Sequence, residues 1–433
     1  MDFGFALTRF FWQLAESLLE YLPGNIICSA LRSDSNRHGL SMNFTHRAIS
    51  IGFAVIVFRV SIFAYAPLGH QIVGGIADER LANTSTAAKV HALLDGLTLE
   101  KSALIPDEIK GWDKNGVDDP RSFHYSARRA IDRQLRDFWR ANQPTQQNPS
   151  IPMPSGLGFQ SIRIGKDADA ATAPSHHWFH YTDVPVVPPQ TYRAGVTGRS
   201  KWDIVHMIPF CIDVLQGRIS EQNERKITKP VALILLAHCV ADIHQPLHVG
   251  AQYFDRYGRP TDPDRDKSAL ADEGGNTFTL ELSDEPPRGR GIRKKKFHGF
   301  WDYDVVNALF PQVPGTFIKK ELESQIEPLK KDLIHDMATR EPRNWQMPTN
   351  VSVDSYAEMW ADEILPIARE AHARLEFRNV KPLLDEGCLV AAGEAIEKPT
   401  PDHSVYRRWA TSIVRDELHK AGWRLADLLE KIL

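Results

Sequence analysis

LLAHCVADIHQPLHVG, residues 235–250, is the stretch on which the reading of this chain turns. The run from Thr228 to Val240 is helical in pattern, with apolar residues at helical spacing. His238 and Asp242 stand four apart, so on a helix both side chains project from one face and can hold one metal ion. Pro246 ends or bends that helix, and His248 returns from the turn beyond it.

Working outward, KFHGFWD repeats the four-residue spacing with His298 and Asp302, and HHWFHYTDVP places His180 close to Asp183, with Pro185 after them. Neutral imidazole and carboxylate are the ligands that suit zinc where cysteine is absent from the site. One His–x3–Asp pair means little, because a surface ion pair has the same spacing. Two pairs, with His180 and His248 in apolar segments, mean more. Burying that many ionisable groups is costly without compensation, and a cluster of cations would provide it. The bland alternative is a set of separate, hydrogen-bonded histidines.

Bulk composition neither opposes nor proves this. The 433 residues are 42% hydrophobic and 25% charged, as in ordinary globular proteins. A net charge of -3 exerts no global pull on nucleic acid, so attraction to a polyanion must be local. The four cysteines, Cys28, Cys211, Cys239 and Cys388, are too widely spaced for a zinc motif and too few for a disulfide scaffold.

The expected fold is mainly α. Helical patterns cover His70–Leu81, Ala87–Leu97, Lys201–Gly217, 318–340 and 353–376. Two inserted loops are expected near 120–175, whose second part is rich in Pro, Gln, Ser and Ala, and near 251–273. Residues 377–433 read as a C-terminal helical extension.

AISIGFAVIVFRVSIFA, residues 48–64, is apolar except for Arg59 and follows His46 and Arg47. Read from Met42, residues 42–64 form a secretory signal with cleavage after Ala64, which implies a secreted or periplasmic product. Arg59 argues against a membrane anchor, so no stable membrane association is expected after signal removal. Residues 1–41 become an upstream extension of unassigned role.

The string DIHQPLHVG, followed by GGN at Gly274 to Asn276, resembles the signature of the S1/P1 nucleases, within the phospholipase C/P1 nuclease superfamily. GHQIVGGIAD at Gly69 to Asp78, ALIPDEIK at Ala103 to Lys110, FHYTD at Phe179 to Asp183 and FHGFWD at Phe297 to Asp302 match in the same order. The resemblance covers about residues 65–375. It implies a helical domain, here 65–376, holding three zinc ions.

Residue by residue, the resemblance implies that His70, Asp242 and the amino group and carbonyl of a mature N-terminal Tyr65 bind one zinc. Asp107, His180, His238 and Asp242 would bind a second, with Asp242 bridging. His248, His298 and Asp302 would bind the third. Without the resemblance, Asp107 reads as a surface carboxylate and His70 as a histidine at a helix start. Relatives carry Trp where Tyr65 stands, and Arg where Lys110 stands. The implied activity is hydrolysis of single-stranded DNA, RNA and 3′-nucleotides by a zinc-activated water, giving 5′-phosphates. Lys110 would stabilise transition-state charge, and Asp183 would orient groups near the reacting water. Tyr181 would stack on a base. Asn276 is a substrate-contact candidate, or with its glycines the shaper of a turn beside the site. RGRGIRKKK, Arg288 to Lys296, reads either as a guide for a phosphate backbone or as a solvated basic loop. A monomer is expected. The rival readings are a zinc phospholipase C, in which Glu typically stands at the position of Asp302, and a non-catalytic secreted metal-binding protein.

Overall fold

In the computed structural model the described residues are 67–117, 129–143, 175–285, 295–310, 319–385 and 388–433. All fall within one unit, Val60–Leu433. The expected signal, Tyr65, Cys28, most of the 120–175 insert and Arg288 to Lys294 lie outside the described residues.

The longer helices are α1 (Pro67–Leu81), α2 (Ser85–Leu93), α3 (Ile105–Asn115), α4 (Arg129–Asn142), α5 (Ile204–Leu215), α6 (Lys229–Asp242), α7 (Lys319–Thr339), α8 (Tyr356–Ala373) and α9 (Tyr406–Ile432). The mainly α expectation is met. α6 is the central one. Pro230 sits in its first turn, where the missing N–H is harmless, and every residue from Val231 to Asp242 is buried. A helix apolar on all sides belongs in the middle of a helical protein. α5 lies against it, capped by the Asp203 carboxylate, which accepts from the His206 backbone N–H.

α1 packs closely against α9 and against the turn at Leu99–Ser102 through glycines. A Cβ on Gly422 of α9 would lie 2.5 Å from Ile76 Cβ, and one on Gly74 would lie 2.5 Å from the Leu99 carbonyl oxygen. Glycine at these places lets backbones approach more closely than any side chain would permit.

The C-terminal segment differs from expectation. Residues from Leu375 begin a hairpin, β6 (Leu375–Asp385) with β7 (Cys388–Glu397), and β5 (Phe278–Glu281) joins β7 in parallel, giving the order β5-β7-β6. The expected boundary at 376/377 falls inside β6. β6 hides its nature because it is an edge strand with mostly exposed side chains, Pro382 and a register shift between Arg378 and Lys381. Only α9 is helical, and it is core: Leu418, Ala421, Leu425 and Leu429 are fully or almost fully buried.

The stretch 251–273 is likewise part of the fold. It carries β3 (Tyr253–Phe254) paired antiparallel with β4 (Leu270–Ala271). Asp264 ties it down, accepting hydrogen bonds from the Thr197 hydroxyl at 2.6 Å and the Thr197 N–H at 3.3 Å. Asp and Gly turns made it look like an insert. The buried Ala251, Tyr253 and Phe254 between them make it structural.

Candidate metal centre

The end of α6 organises the centre. After Asp242 the chain cannot continue the helix through Pro246 and makes a 3-10 turn, Pro246–His248. It then forms β2 (Gly250–Ala251), parallel to β1 (Val184–Pro185). That pairing brings His180, which ends the 3-10 turn His176–His180, beside His248. The Thr182 N–H donates to the His248 carbonyl at 2.8 Å. His298 and Asp302 arrive on a short α-turn that runs into a π-helical turn, Phe300–Asp304. α1 supplies His70 and the first turn of α3 supplies Asp107.

The structure brings together every expected ligand that it describes: His70, Asp107, His180, His238, Asp242, His248, His298 and Asp302. None is more than 5% exposed. Asp242 lies in the middle. Its Oδ1 is 3.3 Å from His70 Nε2, and its Oδ2 is 2.9 Å from His238 Nε2 and 3.2 Å from His180 Nδ1. The His70 and His238 rings stack with centroids 3.9 Å apart. His298 Nε2 stands 3.3 Å from Asp302 Oδ2, and His248 Nε2 stands 3.8 Å from Asp302 Oδ1. The groups that could each hold an ion are His70–Asp107–His238, His180–His238–Asp242 and His248–His298–Asp302. The last is the expected third set. The first two distribute the remaining ligands differently from the expectation, with His238 shared and Asp242 facing both sides.

Orientation comes from the backbone. His238 Nδ1 bonds the Ala103 carbonyl at 2.7 Å, His248 Nδ1 the His180 carbonyl at 2.9 Å, and His298 Nδ1 the Gly274 carbonyl at 2.8 Å. Each bond fixes one ring nitrogen as the donor and leaves Nε2 with its lone pair toward the centre. The GGN loop thus acts as a cradle. A Cβ on Gly274, at φ +57, would lie 2.3 Å from the Leu247 carbonyl oxygen and 3.3 Å from His298 Nδ1.

The electrostatics fit metal ions. Burial pushes His70, His180, His248 and His298 down, His298 to about 3, so these rings present neutral lone pairs. His238 moves up, because Asp242 and Asp107 outweigh its burial. Burial drives Asp302 well above the carboxylate range. Asp242 is held well below it, since His238, His248 and His70 outweigh burial. Three buried carboxylates face one ammonium, Lys110, whose Nζ is 3.1 Å from Asp107 Oδ1. Asp242 Oδ1, His248 Nε2 and Asp302 Oδ2 are buried and make no hydrogen bond among the described residues. Tetrahedral zinc with ligands at about 2.0–2.1 Å separates its ligand atoms by roughly 3.3 Å. Separations here run from 2.8 Å (His180 Nδ1 to His238 Nε2) to 3.9 Å (His180 Nδ1 to Asp107 Oδ1), so the residues fit zinc.

The other expected site residues are placed as follows. Tyr181 is half-buried, its ring 6.3 Å from that of Trp178. Asn276 follows the glycine cradle, with its Oδ1 buried and without a hydrogen bond among the described residues. Asp183 does not join the ligand groups. Burial, with the charges of Asp272 and Asp203, pushes its carboxyl up to about 7, and its backbone carbonyl accepts from the Tyr253 hydroxyl at 2.9 Å. Lys295, from the basic run, is spent on Glu285 and Asp304 at 2.7 and 2.8 Å.

Two supports stand behind the ligands: Gln245, which the sequence did not single out, and His244, which it offers either as an outer support or as a plain hydrogen-bonded histidine. Gln245, fully buried, donates from Nε2 to Asp302 Oδ1 at 2.8 Å. His244 donates from Nδ1 to the Val240 carbonyl and accepts from Arg424 Nη1 at 2.9 Å, so α9 grips the ligand-bearing segment. The motif printed both residues side by side, but nothing in it revealed their distant partners.

A family model described as S1/P1 Nuclease matches residues 164–433. Endonuclease 4 of Arabidopsis thaliana is 32% identical over 151 residues, covering 35% of this chain and 38% of that protein. Endonuclease 2 of the same organism is 24% identical over 193 residues, covering 42% of this chain and 55% of that protein. The chain spans about half or less of the length of these relatives. His70, Asp107 and Lys110 precede the matched region and reach the centre through the fold alone. The matched region is more than half of the chain and carries His180, His238, Asp242, His248, His298 and Asp302, and on that match the chain belongs to the S1/P1 nuclease family.

Proposed function

We propose that this chain is a zinc-dependent phosphodiesterase that hydrolyses single-stranded DNA and RNA, and 3′-nucleotides, to 5′-phosphate products. The observation that carries the reading is the meeting of eight His and Asp side chains from five segments at one buried place, with lone pairs left over. The names of the two endonuclease relatives support the nuclease part.

His70, Asp107, His180, His238 and Asp242 would hold two zinc ions, and His248, His298 and Asp302 a third. Bound there, the ions supply Lewis acidity toward a phosphodiester and a water acidic enough to react near neutral pH. The chain's own residues do the rest. Lys110, held by Asp107, offers a point charge to the phosphate oxygens, without the bidentate grip of arginine. Asn276, with an unused amide oxygen, can accept from a sugar hydroxyl. Tyr181 offers a ring to a base, a contact that tolerates any sequence. Asp183, whose carboxyl is pushed up to about 7 chiefly by burial, can hold or yield a proton near neutral pH. Export through residues 42–64, maturation at Tyr65 and a monomeric state belong to the same proposal. No helix among the described residues is long and apolar enough to cross a membrane.

The test is elemental analysis of the purified chain alongside hydrolysis of single-stranded DNA. About three zincs per chain, with activity lost to chelator and restored by zinc, is the expected result. A metal-free or single-zinc chain that is inactive after zinc loading overturns the proposal.

A further inference from the structure

A second convergence of ligand-type atoms lies outside the centre described above. Asp113 stands six residues beyond Asp107 on α3. Two neighbours in sequence, His176 and His177, both turn their Nε2 atoms to the same carboxylate oxygen, Asp113 Oδ2, at 3.2 and 2.6 Å. The other oxygen, Oδ1, accepts the indole N–H of Trp139 from α4 at 2.7 Å. The His176 side chain is 2% exposed, that of Asp113 11%, and that of His177 26%.

This arrangement is more than two separate hydrogen bonds. A carboxylate has two oxygens and about four lone-pair sites, over which donors ordinarily spread. Here the indole fixes Oδ1, and both imidazoles crowd Oδ2. Consecutive side chains on a 3-10 turn point roughly 120° apart, so turning both rings to one point needs a common partner. Their ring centroids are 4.8 Å apart. The spacings match those of the main centre, where His238 Nε2 and His180 Nδ1 meet Asp242 Oδ2 at 2.9 and 3.2 Å. An outer donor that orients a liganding carboxylate is the usual support of a metal site.

We propose that Asp113, His176 and His177 hold one further divalent transition-metal ion of the zinc class, separate from the ions of the main centre. Two imidazoles and one carboxylate make a three-ligand set that leaves a fourth position open. The partly exposed His177 marks its solvent side. The ion ties α3, and through Trp139 α4, to the 3-10 turn that ends in His180. The inference stands on its own residues and does not depend on the nuclease reading.

The test compares zinc content after loading and dialysis in the full chain and in His177→Gln and Asp113→Asn. Both replacements keep polar groups that can hydrogen-bond. The expected result is about one zinc fewer per chain in each variant, with unchanged far-ultraviolet circular dichroism. Because the readout is a difference from the parent chain, it is independent of how many ions the main centre takes. Equal zinc content in the parent and in His177→Gln, whose side chain is the most exposed of the three, overturns the proposal and leaves a hydrogen-bonded brace.

Discussion

Replacing Gln245 by Met tests the logic of the centre without touching a ligand. The side chains have similar length and flexibility, so no large cavity opens. Two hydrogen bonds vanish: Nε2–H to Asp302 Oδ1 at 2.8 Å, and the Leu247 N–H to Oε1. The first involves a carboxylate and is worth about 1.5–3 kcal/mol; the second is neutral and worth about 1 kcal/mol. The larger loss falls on the metal. Asp302 is already pushed toward its protonated form by burial, and a proton competes with an ion for the same oxygen. Without the Gln245 donor the proton competes better. Loss of an orienting partner typically lowers affinity 10–100-fold, or about 1.4–2.7 kcal/mol. The loss should be confined to an ion held by His248, His298 and Asp302, because among the described residues Asp302 is the one candidate ligand whose side chain the Gln245 side chain bonds. Competition with a chromophoric chelator should therefore show one weakened zinc, the others unchanged, and single-stranded DNA hydrolysis falling with the weakened site. Three zincs held as tightly as in the parent chain would refute the reasoning.

Three further outcomes follow from other parts of the structure. His238→Ala should abolish hydrolysis while circular dichroism keeps the helical signal, since the ring serves both ion groups around Asp242; full activity would sink the ligand assignment. Gly422→Ala gains about 1 kcal/mol of helix propensity but puts a methyl 2.5 Å from Ile76 Cβ, an atom too close to the backbone to swing away. Overpacking of about 1–3 kcal/mol should win, lowering the melting temperature by a few degrees and weakening the ion beside His70; an unchanged melt counts against the close packing of α1 and α9. Glu417, buried on α9, has its carboxyl pushed up to about 7, chiefly by burial. An acid whose folded value lies above its unfolded one stabilises fully below about 4.5 and loses that contribution as pH rises toward 7. Glu417→Gln lacks this loss, so relative to the parent it should gain up to about 3 kcal/mol between pH 5 and pH 8; parallel melting curves at both pH values would show that Glu417 is not held in this way.

The candidate ligands are legible in the sequence because their chemistry is local. His238 and Asp242, and His298 and Asp302, share faces at four-residue spacing, and the proline at 246 announces the turn that returns His248. His70 and Asp107 were legible only by resemblance. Nothing near Asp107 distinguishes it from a surface carboxylate, and its burial depends on α3 meeting α6 through contacts remote in sequence. The hairpin β6–β7 went unread for a comparable reason. Edge strands gain their pairing from a partner and need no apolar alternation, so Glu376, Arg378 and Lys381 look like loop or helix surface. Aspartate and glycine turns likewise disguised 251–273.

The C-terminal helix shows why such a site cannot be delimited by its motifs. An ion cluster needs its ligands fixed to within a fraction of an ångström, and here each fixing contact comes from elsewhere in the chain. Ala103 holds His238, Gly274 holds His298, His180 holds His248, and Gln245 holds Asp302. α9 sits one layer further out. Arg424 grips His244, two residues from Asp242, and is itself held by Glu363 and by the Trp345 carbonyl. Two residues earlier, Gly422 presses on Ile76 of the helix that carries His70. Two sides of one helix therefore fix both His70 and Asp242, the pair 3.3 Å apart at the heart of the centre. On this geometry α9 belongs to the candidate metal site as much as the histidines do.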